Sequence, residues 1–273
     1  MLNFIMNSFD FPIRYLYCHS NFFRKIIKIS SKRRYLSHGS AININWKLLS
    51  DWLKKYRFEI KGKKILEIGP GTSMFNCYKF LIKGAHKVYL LDKFPRINQN
   101  DEDFKKERKN FCQANNIEED SLKKLVKDRT IFLNKDIKEI TLKDIDFIFS
   151  ISVLEHVKDI DSFIKNTYKI LKRTGYIYHS VDLKDHYNFG NSFLFYKYSK
   201  KIWDKYCVRE GVSYTNRIRY DEFLSKFGEY GFQIVENDKD TVDMNKGSKI
   251  DSHFRKMDNL NVSYFRVWLR KND

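Results

Sequence analysis

Acidic, glycine and histidine residues stand where the apolar runs of this sequence end. The first run, "KKILEIG", contains Glu67 and leads into a turn made of Gly69, Pro70 and Gly71. Glycines allow a tight turn and let the backbone approach a ligand closely. A turn of this kind after an apolar run is typical of nucleotide-binding proteins, so it predicts a nucleotide site.

Two familiar nucleotide motifs do not fit this turn. A dinucleotide fingerprint needs a third small residue where this chain has Met74. A phosphate loop needs a Gly-Lys pair followed by Ser or Thr, and none follows. The turn therefore predicts another kind of nucleotide ligand.

Further polar candidates follow the later apolar runs. They are Asp92 in "VYLLD", Asp136 in "LNKDI", Glu155 and His156 in "VLEH", and His179 and Asp182 in "YIYHSVD". A carboxylate at Asp92 can accept hydrogen bonds from both ribose hydroxyls. Asp136 could accept from an adenine amino group, with Ile137 against the ring, or it could cap a helix. Histidine is the commonest general base for an oxygen acceptor, so His156 and His179 are candidate catalytic residues, together with Glu155.

The elements that must position these residues alternate along the chain. Strands are predicted at 63–69, 87–92, 130–134, 145–152 and 175–182, and helices at about 74–83, 101–127 and 159–173. A helix in "YDEFLSKFGEYGF" and strands in "FQIVEND" and "VSYFRVWLRK" follow. This alternation predicts an α/β fold with a parallel sheet covered on both faces, where ligands lie at the carboxyl ends of the strands. Residues 1–60 are predicted to be a helical extension, and 184–220 an insertion within the domain 61–273.

In this order and spacing, the motifs resemble the class I S-adenosylmethionine-dependent methyltransferases. "ILEIGPGTS", "VYLLD", "LNKDI", "FIFSISVLEHVKD" and "ILKRTGYIYHSVDL" carry the resemblance from Lys63 to Leu183. It implies a Rossmann-like, seven-stranded sheet whose last strand is antiparallel, and S-adenosylmethionine as cofactor. It also implies a role for each binding residue: Glu67 and Gly69 to Gly71 around the methionine part, Asp92 at the ribose, Asp136 and Ile137 at the adenine, and Ser150 to Ser152 on the other side.

The segment after the fifth strand points to an acceptor. "HSVDLKDHYNF" and "LFYKYSKKIWDKY" resemble bacterial methyltransferases linked to surface-polysaccharide biosynthesis, which implies a sugar or nucleotide-sugar acceptor. Arg217 and Arg219 in "NRIR" could contact an acidic acceptor or form surface salt bridges.

A metal site is not predicted. Some related methyltransferases use an E-x-x-E-H metal motif, but here Ser152 replaces the first glutamate. The alternative is a partial site made of Glu155, His156 and His179, with Asp182 added.

Charge and cysteine content bear on partners and location. The net charge is +18, which raises nucleic acid as a partner, but 37 of the 52 basic residues are lysines dispersed along the chain. We therefore expect no nucleic-acid partner, and at most peripheral membrane contact through the basic segment 24–34. Four cysteines without a C-x-x-C pair, and no apolar run near 20 residues, predict a cytoplasmic protein without a transmembrane segment.

The sequence thus predicts a methyltransferase acting on a small molecule or glycan precursor, at a sugar hydroxyl or amine. An RNA methyltransferase and a non-catalytic nucleotide-binding protein of the same fold are the alternatives.

Overall fold

The protein is described by a computed structural model over residues 10–23, 38–98, 100–186, 191–210, 214–244 and 249–272, with backbone alone for 38–44. The basic segment 24–34, with its predicted membrane contact, lies outside the described residues, as do Tyr187 and Phe189.

Within these ranges seven strands form one sheet. They are β1 (Lys64–Ile68), β2 (Lys87–Leu91), β3 (Thr130–Leu133), β4 (Ile145–Ile151), β5 (Leu171–Asp182), β6 (Phe232–Thr241) and β7 (Val262–Lys271). Their order is β3-β2-β1-β4-β5-β7-β6. The neighbours from β3 to β5 are parallel, and β7 is antiparallel to both β5 and β6. The predicted seven-stranded sheet with an antiparallel last strand is confirmed.

Helices cover both faces of this sheet. The longer ones are α1 (Asp10–His19), α2 (His38–Lys55), α3 (Phe75–Ile82), α4 (Glu102–Asn115), α5 (Glu119–Arg129), α6 (Ile160–Ile170) and α7 (Tyr220–Glu229). One core lies under α2 to α5 and contains Trp52 and Phe80. The other lies under α6 and α7 and contains Phe163 and Phe223. Burial on both faces explains why the central strands are almost continuously apolar.

The helix predicted over 101–127 is two helices. Asn116 takes the left-handed conformation, with φ of 52°, and its N–H donates to the carbonyls of Cys112 and Gln113. Asparagine tolerates this conformation better than most residues, so it ends α4 and lets α5 start afresh.

The N-terminal extension makes two separate contacts. Helix α1 packs on the insertion: Arg14 forms ion pairs with Asp10 and Asp185, and the Tyr198 hydroxyl donates to Asp10 at 2.6 Å. Helix α2 instead packs on the sheet, where Trp52 lies 5.9 Å from Trp268, centroid to centroid. The division of the chain at residue 60 stays a prediction.

The insertion and the segment between β6 and β7 share a small core. Phe195, Tyr196, Trp203 and Phe254 are among its buried members. Most of the aromatic residues of the insertion therefore stabilise its fold.

Both arginines of "NRIR" are buried beside this core. Arg217 donates to the carbonyls of Phe195 and Tyr198, and Arg219 to those of Leu183 and Val262. Neither forms the surface salt bridge considered from the sequence, and neither is free to hold an acceptor.

Candidate active site

The glycine turn after β1 lies at the carboxyl edge of the sheet, where the strand order reverses between β1 and β4. Gly69 and Gly71 have φ of 69° and 67°, and Gly69 N–H donates to Leu91 O at 2.8 Å. A Cβ on Gly69 would lie 2.5 Å from Val153 Cγ2, whereas a Cβ on Gly71 would meet nothing within 4 Å. Gly69 is thus needed for the contact with the segment after β4, and Gly71 borders open space.

Glu67 places a buried carboxyl beside this turn. Its Oε1 accepts from Asn76 Nδ2 at 2.9 Å, and burial raises the pKa of Glu67 to about 8. Glu67 Oε2 and Asn76 Oδ1 have no hydrogen-bond partner in the described part of the chain. Buried polar atoms without a partner fit a site for a ligand, and one that brings hydrogen-bond donors or positive charge would satisfy both oxygens.

A cavity of about 160 Å³ opens next to the turn. Its walls include Pro70, Gly71, Asp92, Arg96, Ile97, Phe132 and Asn134. Asp92 is half-buried, and its Oδ1 accepts from Phe94 N at 2.8 Å, which fixes the carboxylate at the cavity wall. Small-molecule sites usually measure roughly 300–1,000 Å³, so this cavity suits one part of a larger ligand. We call Glu67, Gly69 to Gly71 and Asp92 the turn edge.

Asp136 and Ile137 are held by local contacts. Asp136 caps a short helix through Lys138 N at 3.3 Å and pairs with Lys93 Nζ at 3.3 Å. Lys93 also pairs with Glu210 of the insertion at 2.5 Å. Ile137 is buried in the core, with 7% of its surface exposed. The capping role of Asp136 is visible, and the adenine contact of these two residues stays a prediction.

Ser150 lies beside Ile68 and pairs with His179 of β5, but the side chains of Ser150 and His179 point into the core. Ser150 Oγ and His179 Nδ1 are 2.8 Å apart, both residues are fully buried, and the imidazole stacks on Phe227 of α7. Burial lowers the pKa of His179 to about 3. This pair belongs to the core under α6 and α7, so His179 cannot reach a substrate from where it lies.

Glu155 and His156 lie on the loop after β4, which is clamped by residues 214–216. Asn216 Nδ2 donates to Leu154 O at 2.7 Å and to Val157 O at 3.0 Å. His156 Nδ1 lies 2.7 Å from Tyr214 O, so this nitrogen carries the proton and Nε2 is left as a free acceptor. Surrounding protein atoms and the neighbouring His186 lower the pKa of His156, although part of its ring reaches solvent.

The structure adds His186 to these two residues. One ligand atom from each of Glu155, His156 and His186 lies within 4.8 Å of the others. Glu155 is buried, its Oε1 accepts from Asp182 N at 3.3 Å, and burial raises the pKa of its carboxyl well above the usual value. We call Glu155, His156 and His186 the histidine cluster.

The sequence signal for His186 is weak. His186 lies in a loop four residues after Asp182, and the residues around it in the sequence do not indicate a contact with Glu155.

Hydroxyl groups at the ends of β4, β5 and β7 lie beside the cluster. Ser180 Oγ bonds to the Tyr264 hydroxyl, and Ser152 N donates to Ser180 O at 2.8 Å. Ser152 has φ of 53°, a strained value for a residue other than glycine. Tyr264 belongs to the last strand and was not among the sequence candidates.

The fold and the two polar groups define a class: a Rossmann-like methyltransferase domain with a ligand edge at β1, β2 and β4. A family model described as "Methyltransferase domain" matches residues 41–237, and the chain belongs to that family. This match confirms the predicted enzyme class, and S-adenosylmethionine is the cofactor of that class. A search among curated proteins found no match.

Solved structures with the same fold are distant in sequence. A protein from Galdieria sulphuraria, provisionally named a sarcosine dimethylglycine methyltransferase, is 14% identical with a TM-score of 0.52, over 86% of this chain and 88% of that one. An S-adenosylmethionine-dependent methyltransferase from Mesorhizobium loti is 16% identical with a TM-score of 0.45, over 78% and 93%. Phosphoethanolamine N-methyltransferase 2 of Haemonchus contortus, in complex with S-adenosyl-L-methionine, is 14% identical with a TM-score of 0.48, over 84% and 53%. At 14% identity and a TM-score above 0.5, the likeness to the Galdieria sulphuraria protein supports the fold alone.

None of the helices within the described ranges has the length and apolar character needed to cross a membrane.

Proposed function

We propose that the protein transfers a methyl group from S-adenosylmethionine to a hydroxyl of a small anionic glycan precursor, such as a nucleotide-linked sugar. The observation that carries the proposal is the contact between the turn edge and the loop of the histidine cluster. Val153, two residues before Glu155, packs directly on Gly69. A donor at the turn and an acceptor at the cluster would therefore meet across one short gap.

The turn edge fits the donor. The unpartnered oxygens of Glu67 and Asn76 suit the positively charged methionine part, and Asp92 at the cavity wall suits the ribose. Bound there, the donor supplies a methyl group on a positively charged sulfur. Gly71 borders the open space in which that part of the donor would lie. The binding roles of Pro70, Gly71, Asp136 and Ile137 are part of the proposal.

The histidine cluster suits an acceptor that must lose a proton. A hydroxyl is a poor nucleophile until a base removes its proton, and the Nε2 of His156 is a free acceptor near solvent. Because its pKa is lowered, this imidazole is neutral at pH 7 and can accept a hydrogen bond or a proton from the acceptor. Glu155 would act together with His156.

Arg96 supports an anionic acceptor. It lines the cavity, is exposed, and its charge contributes to the lowered pKa of His156, so it lies between the turn edge and the cluster. Among the described residues it has no ion-pair partner. A phosphate of a nucleotide-linked sugar would be a suitable one.

The test is methyl transfer from labelled S-adenosylmethionine to a panel of nucleotide-linked sugars. We expect transfer to at least one of them, and Arg96→Ala should raise its KM about tenfold through the lost phosphate contact. Transfer to RNA, with affinity falling steeply as salt rises, would replace the acceptor by nucleic acid. Binding of the cofactor without transfer to any acceptor would indicate a non-catalytic protein.

We expect His156→Ala to lower turnover by about 10²- to 10⁴-fold while the affinity for S-adenosylmethionine stays the same, because the imidazole contacts the acceptor alone. Turnover of the unsubstituted protein should also persist as the pH falls through about 6.5, the ordinary pKa of imidazole, since the pKa of His156 is lowered. His86→Ala, at an exposed position before β2, is the matched control. Equal turnover for both variants would remove His156 from the reaction.

The cytoplasmic location expected from the sequence stays a prediction, consistent with four buried free cysteines in the described residues.

A further inference from the structure

The histidine cluster contains buried polar atoms that no protein group satisfies. Glu155 Oε2 and His186 Nε2 are both buried, and neither has a hydrogen-bond partner within the described ranges. Buried polar atoms are almost always paired, so two unpaired atoms in one cluster need an explanation. A cation bound between them would satisfy both.

The chemistry of the three side chains selects the kind of cation. One carboxylate oxygen and two imidazole nitrogens suit divalent transition metals such as zinc, whereas magnesium and calcium prefer oxygen ligands alone. His156 already has the arrangement of a ligand: its Nδ1–H donates to Tyr214 O at 2.7 Å, which fixes the ring and leaves Nε2 free.

The distances are close to those of a metal site. The three ligand atoms lie within 4.8 Å of one another. Ligands around a zinc ion, with bonds of about 2.1 Å, are separated by roughly 3–4 Å, so a contraction of about 1 Å would complete the site. Rotation of the partly exposed His186 side chain can supply that movement.

A second carboxylate lies at the edge of the histidine cluster. Asp182 Oδ2 lies 3.9 Å from His186 Nε2, and it adds a second carboxylate at the edge of the cluster. Two carboxylates would balance a divalent cation. The loop of Glu155 and His156 is held in place by Asn216, so two of the three ligands are preorganised.

We propose that Glu155, His156 and His186 form a binding site for one divalent transition metal ion, with an open side toward the acceptor. The metal site itself does not depend on the proposed function, but its role does. With a metal bound, His156 Nε2 would be a ligand and could not also take up the acceptor proton. The metal would then replace the imidazole in that role by lowering the pKa of the acceptor hydroxyl that enters the open side. The sequence indicates His179 as a possible metal-binding partner of Glu155, whereas in the structure His186 lies in that place.

The test uses the full chain, stripped with a chelator and dialysed against Zn²⁺, with the bound metal measured by elemental analysis. We expect one equivalent of zinc per chain, and at least tenfold weaker binding by Glu155→Gln and by His186→Gln. His86→Gln, which changes an exposed histidine before β2, should bind zinc as the unsubstituted protein does. Mg²⁺ in excess should not displace the zinc.

A second measurement needs no variant. Co²⁺ bound to the unsubstituted chain should show the absorption of a nitrogen and oxygen site without a thiolate charge-transfer band. Such a band would mean that cysteines hold the metal, and the proposal would be wrong. It would also be wrong if less than a stoichiometric amount of zinc binds, or if folded Glu155→Gln and His186→Gln both retain full affinity.

The outcomes separate this inference from the proposed function. Zinc binding without methyl transfer would leave the metal site standing and remove the function. Methyl transfer by a chain that binds no zinc would leave the function standing and remove the metal site.

Discussion

The turn edge and the histidine cluster occupy the same end of the sheet but are built by different means. The turn edge is made where the adjacent strands β1 and β2 end, and its shape follows from two glycines with positive φ. The histidine cluster joins Glu155 and His156 to His186, and it is held by Tyr214 and Asn216 from farther along the chain. The first site is therefore a property of backbone conformation, and the second is a property of tertiary packing.

This difference has an energetic consequence. Few buried charged side chains lie at the turn edge. The region behind the cluster, in contrast, contains buried arginines that donate hydrogen bonds to backbone carbonyls. Changes behind the cluster should reduce stability most, and changes at the turn edge should mainly affect the ligand.

The largest effect is expected for Arg219→Ala. The guanidinium is 1% exposed and donates to Leu183 O at 2.9 Å and Val262 O at 2.8 Å, so its removal leaves buried carbonyls unpaired. We expect the free energy of unfolding in urea to fall by about 3–5 kcal/mol. The exposed Arg255→Ala, which loses one contact to Ile250 O, should change it by less than about 1 kcal/mol. Similar losses for both variants would show that the buried contacts of Arg219 contribute little.

A smaller effect separates the two glycines of the turn edge. Gly69→Ala combines a left-handed backbone with a Cβ 2.5 Å from Val153 Cγ2, so it should lower the free energy of unfolding by about 2–4 kcal/mol. Gly71→Ala has the same backbone cost but no clash, and should lose about 1–2 kcal/mol. Its methyl group would instead enter the ligand space and weaken cofactor binding. This prediction would be wrong if Gly71→Ala lowered the free energy of unfolding more than Gly69→Ala does.

A pH dependence of stability is expected at Glu67. Burial raises its pKa from 4.5 to about 8, so between these values the unfolded chain has released a proton that the folded chain still holds. The free energy of unfolding should therefore fall as the pH rises through this window, by up to about 1.4 kcal/mol for each pH unit. Glu67→Gln removes this dependence, so its stability relative to the unsubstituted protein should rise from pH 5 to pH 8. A difference that stays constant over this range would contradict the burial of a protonated Glu67.

The same comparison explains how much could be predicted from the sequence. The alternation of apolar runs predicted the sheet, and the motif around Gly69 predicted the turn edge, because both depend on residues close in sequence. The sequence places His186 in the loop after the fifth strand, but its grouping with Glu155 could not be predicted, and neither could the contact of Tyr264 with Ser180, because both arise only after the chain has folded. His179 shows the opposite error: it follows the pattern of a strand-end residue but faces the core under α6 and α7.

Arg217 and Arg219 show the same limit. Their positive charge suggested a surface role, but each packs against aromatic rings of the insertion, with Arg217 4.7 Å from the centre of the Trp203 ring. Spacing along the chain does not indicate whether an arginine binds backbone carbonyls inside a fold.

We expect the turn edge to bind S-adenosylmethionine independently of the histidine cluster. Calorimetric titration of the cofactor into three variants tests it. Asp92→Ala should bind roughly 30- to 1,000-fold more weakly, equivalent to about 2–4 kcal/mol, because charge-assisted hydrogen bonds to the ribose are lost. His156→Ala and the exposed Asp120→Ala should bind as the unsubstituted protein does. Unchanged affinity for Asp92→Ala, or loss of binding in His156→Ala, would contradict the claim.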